Sequence, residues 1–530
     1  MPTLDWIGKK GVVGHHRQVP YRLLHCNAKL SAGDPDAGNL LVQGDNLLAL
    51  KALLPYYAGK VKCIYIDPPY NTGTEGWIYN DNVDSPVMKA WLGQAVGKEA
   101  EDLSRHDKWL CMMYPRLALL KEFLTDDGVI FVSIDDNEVH HLRAMMDEVF
   151  GSSRRIGCLI WKSRQQKDNR NTTGASIDHE YVLCYGHRLR GAERDRTQYS
   201  NPDNDPRGDW TSSNMVGLAT RTQRPNLHFD LIDPATQINY GCPAKGWRYE
   251  PATMQRLGAE RKILWPASPT GRPRRKFFLS ELEEEFTGFS SIVGEGIFTR
   301  HGTVALRDIF SHDEFSFPKP VELVRALVEQ VAGENDLVLD SFAGSGTTGH
   351  AVLAMNRTDG GSRRFILVEM DENIATAITG QRLARVIEGY QPGGDKGKEY
   401  VAGTGGGFRY CMLGEPLFDE AGNIQESVKF SDLAAHVFFT ETGSPIPKRA
   451  TGKTPLLGVH DGTAIYLLFN GAMGDRRVNG GNVLTTEVLR KLPEHDGPKV
   501  VYGEGCRLGK ARLKREGIVF RQIPYEVKVS

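Results

Sequence analysis

Leu337-Val338-Leu339-Asp340-Ser341-Phe342-Ala343-Gly344-Ser345-Gly346-Thr347-Thr348 changes character twice within a few residues. Its apolar start reads as a buried strand, which Asp340 closes. Gly344 and Gly346 permit a tight turn and a close approach of the backbone to a ligand. Helix-compatible residues follow from Thr347, and then Arg364-Phe365-Ile366-Leu367-Val368-Glu369 forms a second apolar run ended by an acid. Strand, turn, helix and strand in that order make the unit of a parallel α/β sheet.

The same alternation fills the first part of the chain. Strands are expected at 39–44, 61–66, 128–134, 156–161 and 180–185, with a helix over Trp109–Phe123 where Trp109, Met112, Met113, Leu117 and Leu120 recur at helical period. From about 190 to 310 the periodicity fades into mixed Pro, Gly, Arg and aromatic residues. Trp210, Trp247, Tyr249, Trp265, Phe277 and Phe278 need burial or a ligand there, which favours a folded insert over disorder. The expected organisation is a first core half at 20–189, an insert at 190–310 and a second core half at 311–390. A linker at 391–407 and a smaller α+β unit at 408–530, with a strand at 463–469, complete it.

At 530 residues the chain exceeds one ordinary core. It contains no run of about 18 apolar residues, so no membrane span is expected. Its first residues lack the layout of a signal peptide. The eight cysteines include no closely spaced pair, which argues against a disulfide framework and a compact zinc site and fits a reducing cytoplasm; no metal is expected. Net charge is −1, so any nucleic-acid surface must be local. Two basic windows qualify. Arg154, Arg155, Lys162, Arg164, Lys167 and Arg170 face only Asp168 in sequence, and Arg272, Arg274, Arg275 and Lys276 face no acid. The first is expected to grip phosphate. Arg272, Arg274 and Arg275, with Arg221, Gln223, Arg224 and Asn226, have the donors needed to read base edges.

Two sites carry chemistry. Asp340 stands where a pyrophosphate would have to sit, and no lysine follows Gly346, so a phosphate cradle is not satisfied. The negative charge suits a cation instead. S-adenosylmethionine carries an ammonium, a sulfonium and a ribose, and no phosphate. Phe342 would pack along it, Gly344, Gly346 and Thr347 would form its turn, and Glu369 would accept from ribose hydroxyls. Asp45 either approaches the adenine edge or caps a helix. Phe317-Pro318-Lys319-Pro320 leads into a helix at 321–331, with Lys319 placed to meet the donor's carboxylate. The second site is Asp67-Pro68-Pro69-Tyr70, at the end of Val61–Ile66. Asp67 and the Pro68 carbonyl can accept the two N–H bonds of an exocyclic amine while Pro68 and Pro69 stiffen the loop. Tyr70 offers a stacking face, and Asn71-Thr72-Gly73 continues with hydrogen-bonding groups.

These motifs resemble those of permuted, beta-class amino-group DNA methyltransferases, in which the catalytic loop precedes the donor loop. Residues 128–136 and His179-Glu180-Tyr181 resemble their later core motifs, although the family often has proline where Ser341 stands. The likeness is greatest to modification subunits of type III restriction systems, through Asn71-Thr72-Gly73, Trp77-Ile78-Tyr79-Asn80-Asp81 and the tail Phe520-Arg521-Gln522-Ile523-Pro524-Tyr525-Glu526. The resemblance implies a Rossmann-like, circularly permuted S-adenosylmethionine-dependent fold whose insert recognises the target. It further implies N6 methylation of a flipped adenine in duplex DNA, a homodimer and an ATP-dependent restriction partner. Four other readings keep the same motifs: cytosine N4 methylation, a solitary adenine methyltransferase, an RNA or protein amino-group methyltransferase, and a non-catalytic DNA-binding module.

Overall fold

The computed structural model describes residues 3–72, 105–168, 174–282, 286–312, 315–394, 398–419, 422–469 and 481–523. Gly73, Trp77 to Asp81, Arg170 and Pro524 to Glu526 lie outside them. The chain divides into two compact units, one of residues 1–189 and 290–530, the other Arg190–Phe289.

The first unit is built on a ten-stranded sheet. Its strands are β1 (Arg22–Gly33), β2 (Leu40–Gln43), β3 (Val61–Ile66), β4 (Leu124–Ile134), β5 (Arg155–Trp161), β6 (Glu180–Gly186), β7 (Ile292–Val293), β8 (Leu337–Asp340), β9 (Arg364–Glu369) and β10 (Gly407–Pro416). They lie in the order β1-β10-β2-β9-β8-β3-β4-β6-β5-β7. From β10 to β4 every pairing is parallel, so β3 and β8 run side by side and end at the same edge. Residues far apart in sequence thereby meet at one edge of the sheet.

The period of two assigns the faces. Ile64, Ile66, Ile130, Val132, Leu337, Leu339, Ile366 and Val368 share one core with Leu47, Leu50, Leu53, Leu54, Trp109, Met113, Leu117 and Leu120. Those apolar side chains come from α1 (Asn46–Tyr57) and α2 (Arg105–Phe123), which pack against each other. Cys63, Tyr65, Val338, Phe365 and Leu367, on the alternate positions, are equally buried. A sheet covered on both faces explains why its central strands read as nearly unbroken apolar runs. Truncating one such side chain, as in Ile64→Ala, costs about 2–5 kcal/mol. The result is a Rossmann-like sheet with additional strands and helices around it.

Three expectations need correction. Residues 290–310 belong with the core: β7 adds parallel to β5, and the helix Thr299–Phe310 follows from it. The division at 408 cuts through β10, which lies between β1 and β2 and carries the tail into the main sheet. Sequence spacing hid this because the pairing joins segments 385 residues apart at Cys26 and Cys411. It hid the disulfide for the same reason: Cys26 and Cys411 are bonded, directly opposite one another in the antiparallel β1/β10 register, 385 residues apart.

Beyond β10, Leu456–His460, Thr463–Leu467, Lys499–Gly503 and Ile518–Gln522 make a separate four-stranded sheet with its own apolar core. The Arg190–Phe289 unit is small and loop-rich, with a three-stranded sheet of Trp210–Asn214, Ile263–Leu264 and Arg274–Phe278. Met215, Leu231, Trp247, Met254, Leu257 and Ile263 form its core, with Tyr249 and Trp265 packed on it. Among the described residues no helix is long and apolar enough to cross a membrane.

Candidate functional site

At the shared edge of β3 and β8, a cavity of about 650 Å³ is lined by Asp67, Pro68 and Tyr70 from one loop and by Asp340, Phe342, Gly344 and Thr347 from the other. Phe317, Pro318 and Lys319 complete the wall, and Glu180 and Arg164 also face it. Both motifs therefore open into one space.

The Asp340–Thr347 turn is held by its own backbone and hydroxyls. Asp340 accepts from the Phe342 N–H at 2.9 Å and the Thr348 hydroxyl at 2.5 Å. It is 2% exposed, and burial, partly countered by those two donors, pushes its carboxyl up to about 7. No cation is among the groups that shift it. Among the described residues no cation pairs with this buried carboxylate, so the site suits a cationic ligand. Gly346 has φ +79°, and a Cβ there would lie 3.0 Å from the Thr379 methyl. Arg382, fully buried, donates to the Ser345 carbonyl at 3.2 Å, the Ser345 hydroxyl at 2.8 Å and the Thr347 hydroxyl at 2.9 Å. Thr347 in turn donates to the Lys319 carbonyl at 3.2 Å, tying the Phe317–Pro320 segment to the turn.

At the Asp67–Tyr70 loop the dominant groups are charged. Lys319 Nζ lies 2.8 Å from Asp67 Oδ2 and 3.4 Å from Glu180. It also sits 4.8 Å from the centre of the Tyr70 ring, a cation–π contact. Burial opposes the lysine's charge, but Asp67 and Glu180 raise its pKa above the ordinary value. The Tyr70 hydroxyl lies 2.9 Å from both Asp67 and Glu180, and burial with those carboxylates keeps the phenol protonated. Trp109 Nε1 donates to the Pro69 carbonyl at 2.7 Å, fixing the second proline from the helix below.

The loop then enters a second brace. Asn71 is fully buried with φ +58°, a backbone region that costs a non-glycine residue about 1 kcal/mol or more. Its amide donates to Glu138 at 2.5 Å and to the Arg105 carbonyl at 3.3 Å. Glu138, also fully buried, pairs with His106 Nδ1 at 2.6 Å and His141 Nδ1 at 2.8 Å. The ligand atoms of His106, Glu138 and His141 lie within 4.8 Å of one another and could meet around an ion. The two Glu138–His contacts, at 2.6 and 2.8 Å, are nevertheless hydrogen-bond distances; ligands about 2.0–2.1 Å from one tetrahedral ion stand roughly 3.3 Å apart.

The remaining expected residues fall elsewhere. Asp45 caps α1, accepting from Leu47 N at 3.0 Å and Leu48 N at 3.1 Å, and pairs with buried Arg116 at 2.9 Å. Glu369 accepts from the N–H groups of Gly344 at 2.8 Å and Asp371 at 2.9 Å. Neither lines the cavity. Lys319, expected at the donor's carboxylate, is paired on the Asp67 side. In the first basic window Arg154 binds the Asp126 carbonyl, Arg155 pairs with Asp147 and Arg164 with Asp168, while Lys162 and Lys167 are exposed. In the second, Arg275 pairs with nearby Glu281, and Lys276 pairs with Asp203 and Asp205, acids distant in sequence that arrive by folding. Arg274 bonds Ser212, and Arg272 is exposed, as are Arg221, Gln223, Arg224 and Asn226.

Glu180, Arg382 and Glu138 join the expected residues at the site. Glu180 has a sequence signal in the His179-Glu180-Tyr181 motif. Arg382 and Glu138 look like ordinary helical-surface charges until their burial is known.

The family model described as DNA methylase of the N6/N4 type matches residues 61–380, a span that includes both loops and the unit between them. The type III restriction-modification enzyme StyLTI Mod subunit of Salmonella typhimurium is 32% identical over 361 residues, covering 65% of this chain and 54% of that protein. The EcoPI Mod subunit of Escherichia phage P1 is 32% identical over 425 residues, 70% of this chain and 64% of its own length. The type II methyltransferase M.KpnI of Klebsiella pneumoniae is 31% identical over 365 residues, 65% of this chain and 83% of its own length. The chain thus spans between about half and two thirds of the length of these type III subunits.

Proposed function

The chain belongs to the N6/N4 DNA methylase family, related to type III modification subunits, and from that premise we propose that it methylates the N6 amine of a flipped adenine at a specific site in duplex DNA. The observation that carries the reading is the single cavity onto which the Asp67–Tyr70 loop and the Asp340–Thr347 turn both open. S-adenosylmethionine, when bound, supplies an electrophilic methyl group on a positively charged sulfur. Asp340, buried and paired with no cation among the described residues, suits its positive charge, and Phe342 and the Gly344–Thr347 turn give its apolar parts a wall. Glu369 acts through Gly344, whose N–H it holds, and Asp45 through the start of α1.

Adenine's amine is a weak nucleophile because its lone pair is delocalised into the ring. Asp67 and the Pro68 carbonyl accept its two N–H bonds, and the carboxylate stabilises the positive charge that grows on nitrogen as the N–C bond forms and the methyl's bond to sulfur breaks, its electron pair staying on the now neutral sulfur. One proton then passes from the alkylated nitrogen to Asp67 and on to solvent; the alkylated amine is a strong acid, so Asp67 need not be a strong base. Flipping the base out of the duplex costs a few kcal/mol, which stacking on Tyr70 partly offsets.

The Arg190–Phe289 unit is assigned to target reading, with Arg221, Gln223, Arg224, Asn226, Arg272 and Arg274 as exposed polar groups and Arg275 half-buried. Lys162, Arg164 and Lys167 are assigned to phosphate, with Arg154, Arg155 and Arg170 in the same window. In chain order the Asp67 strand precedes the Asp340 strand, which supports a circularly permuted core. A homodimer and a restriction subunit are proposed as partners, since the curated relatives named as Mod subunits belong to restriction-modification enzymes.

The test is to methylate a random-sequence duplex library with the purified protein and map the modified bases on each strand. Adenines within one short asymmetric site, modified on one strand, support the type III-like reading. A palindrome modified on both strands points to a solitary enzyme, and modified cytosines or no modification reject adenine methylation.

A further inference from the structure

We propose that Glu180 is a positioning residue that draws Lys319 away from Asp67 so that Asp67 can receive the target amine; this rests on the reading of Asp67 given above. Both oxygens of Asp67 are engaged, Oδ2 by Lys319 at 2.8 Å and Oδ1 by Tyr70 at 2.9 Å. An incoming amine must replace one of them. Tyr70 has one phenolic proton, yet its oxygen is 2.9 Å from Glu180 as well, so it donates to only one carboxylate at a time. The cluster therefore has two complete arrangements. In one, Lys319 binds Asp67 while Tyr70 donates to Glu180. In the other, Lys319 binds Glu180 while Tyr70 donates to Asp67 and leaves the second Asp67 oxygen open.

The side chain of Lys319 is only 10% exposed, so it cannot retreat to water. Leaving Asp67 without a second anion would strand a buried ammonium, which is strongly unfavourable. Glu180, 3.4 Å away, supplies that anion. Two carboxylates against one ammonium also leave one net negative charge beside the cavity, matching the charge that develops on the amine nitrogen. Without Glu180 the group is neutral and Lys319 stays on Asp67.

The experiment measures kcat and KM for transfer from labelled S-adenosylmethionine to unmethylated genomic duplex DNA, with donor affinity by calorimetry, for the full chain and its Glu180→Gln, Glu180→Asp and Asp67→Ala variants. Glu180→Gln should lower kcat at least tenfold with donor affinity unchanged within twofold, and Glu180→Asp should restore most of it. Should Glu180→Gln fail to fold, Glu180→Ala is judged by the same thresholds. A kcat within twofold of the parent, an equal loss in Glu180→Asp, or a matching loss of donor affinity overturns the proposal. If Asp67→Ala is inactive while Glu180→Gln is unimpaired, only the role of Glu180 falls; if Asp67→Ala remains active, the underlying reading falls.

Discussion

Asp67 and Asp340 end adjacent parallel strands and face one cavity, yet their surroundings are opposite. Asp67 has a lysine, a phenol and a second carboxylate around it, and a quarter of its side chain is exposed. Asp340 is 2% exposed and is held by an amide and a hydroxyl. The first environment can rearrange because its charges have alternative partners. The second is fixed by the turn that contains it, and among the described residues no cation pairs with it. A transfer enzyme needs both: a rigid cradle for the donor, and a corner that exchanges hydrogen bonds when the acceptor enters.

Removing the movable side's carboxylate should have the largest effect. Asp67→Ala is expected to lower methyl transfer roughly a hundred- to a thousandfold while calorimetric donor affinity stays within about threefold. Equal losses of both would erase the distinction between the two corners.

Asp340 gives the contrast a pH signature. Burial raises its pKa to about 7. A raised carboxyl pKa favours the neutral acid in the folded chain, so its contribution to stability is present below the ordinary carboxylate range and is lost as pH rises through about 7. A cationic donor binds the ionised form. Its affinity should therefore climb by up to about tenfold per pH unit below 7 and level off above it. Titrations at several pH values check this, and Asp340→Asn should be weaker and flat.

Tyr70→Ala should cost about 1–3 kcal/mol of base stacking, read as a higher KM for DNA, whereas Tyr70→Phe should keep most of that stacking. The smallest change expected is in Gly346→Ala, where a positive φ and the Thr379 methyl oppose a Cβ. About 1–2 kcal/mol of stability should be lost, measured by denaturant unfolding, with donor affinity falling alongside.

Much of this contrast was legible before folding was considered. Asp340 between an apolar strand and a glycine turn, and Asp67 before two prolines, are local patterns whose chemistry follows from residue type. The central strands were legible as well, because burial on both faces leaves continuous apolar runs. What sequence concealed are partners brought by topology. Glu180 reaches Lys319 only because β6 pairs with β4 next to β3. Lys276 reads as a free cation until folding brings Asp203 and Asp205 to it. Cys26 and Cys411, and the whole of β10, were hidden by the same long-range pairing.

The central claim is that this pair of corners moves a methyl group onto an adenine amine. Unmethylated duplex DNA incubated with the protein and S-adenosylmethionine carrying a labelled methyl group, then digested to nucleosides, tests it most directly. The account predicts label in N6-methyladenosine's deoxy form and roughly a hundredfold less, or lower still, there with Asp67→Ala; label in N4-methylcytosine, or DNA binding with no label transferred, would contradict it.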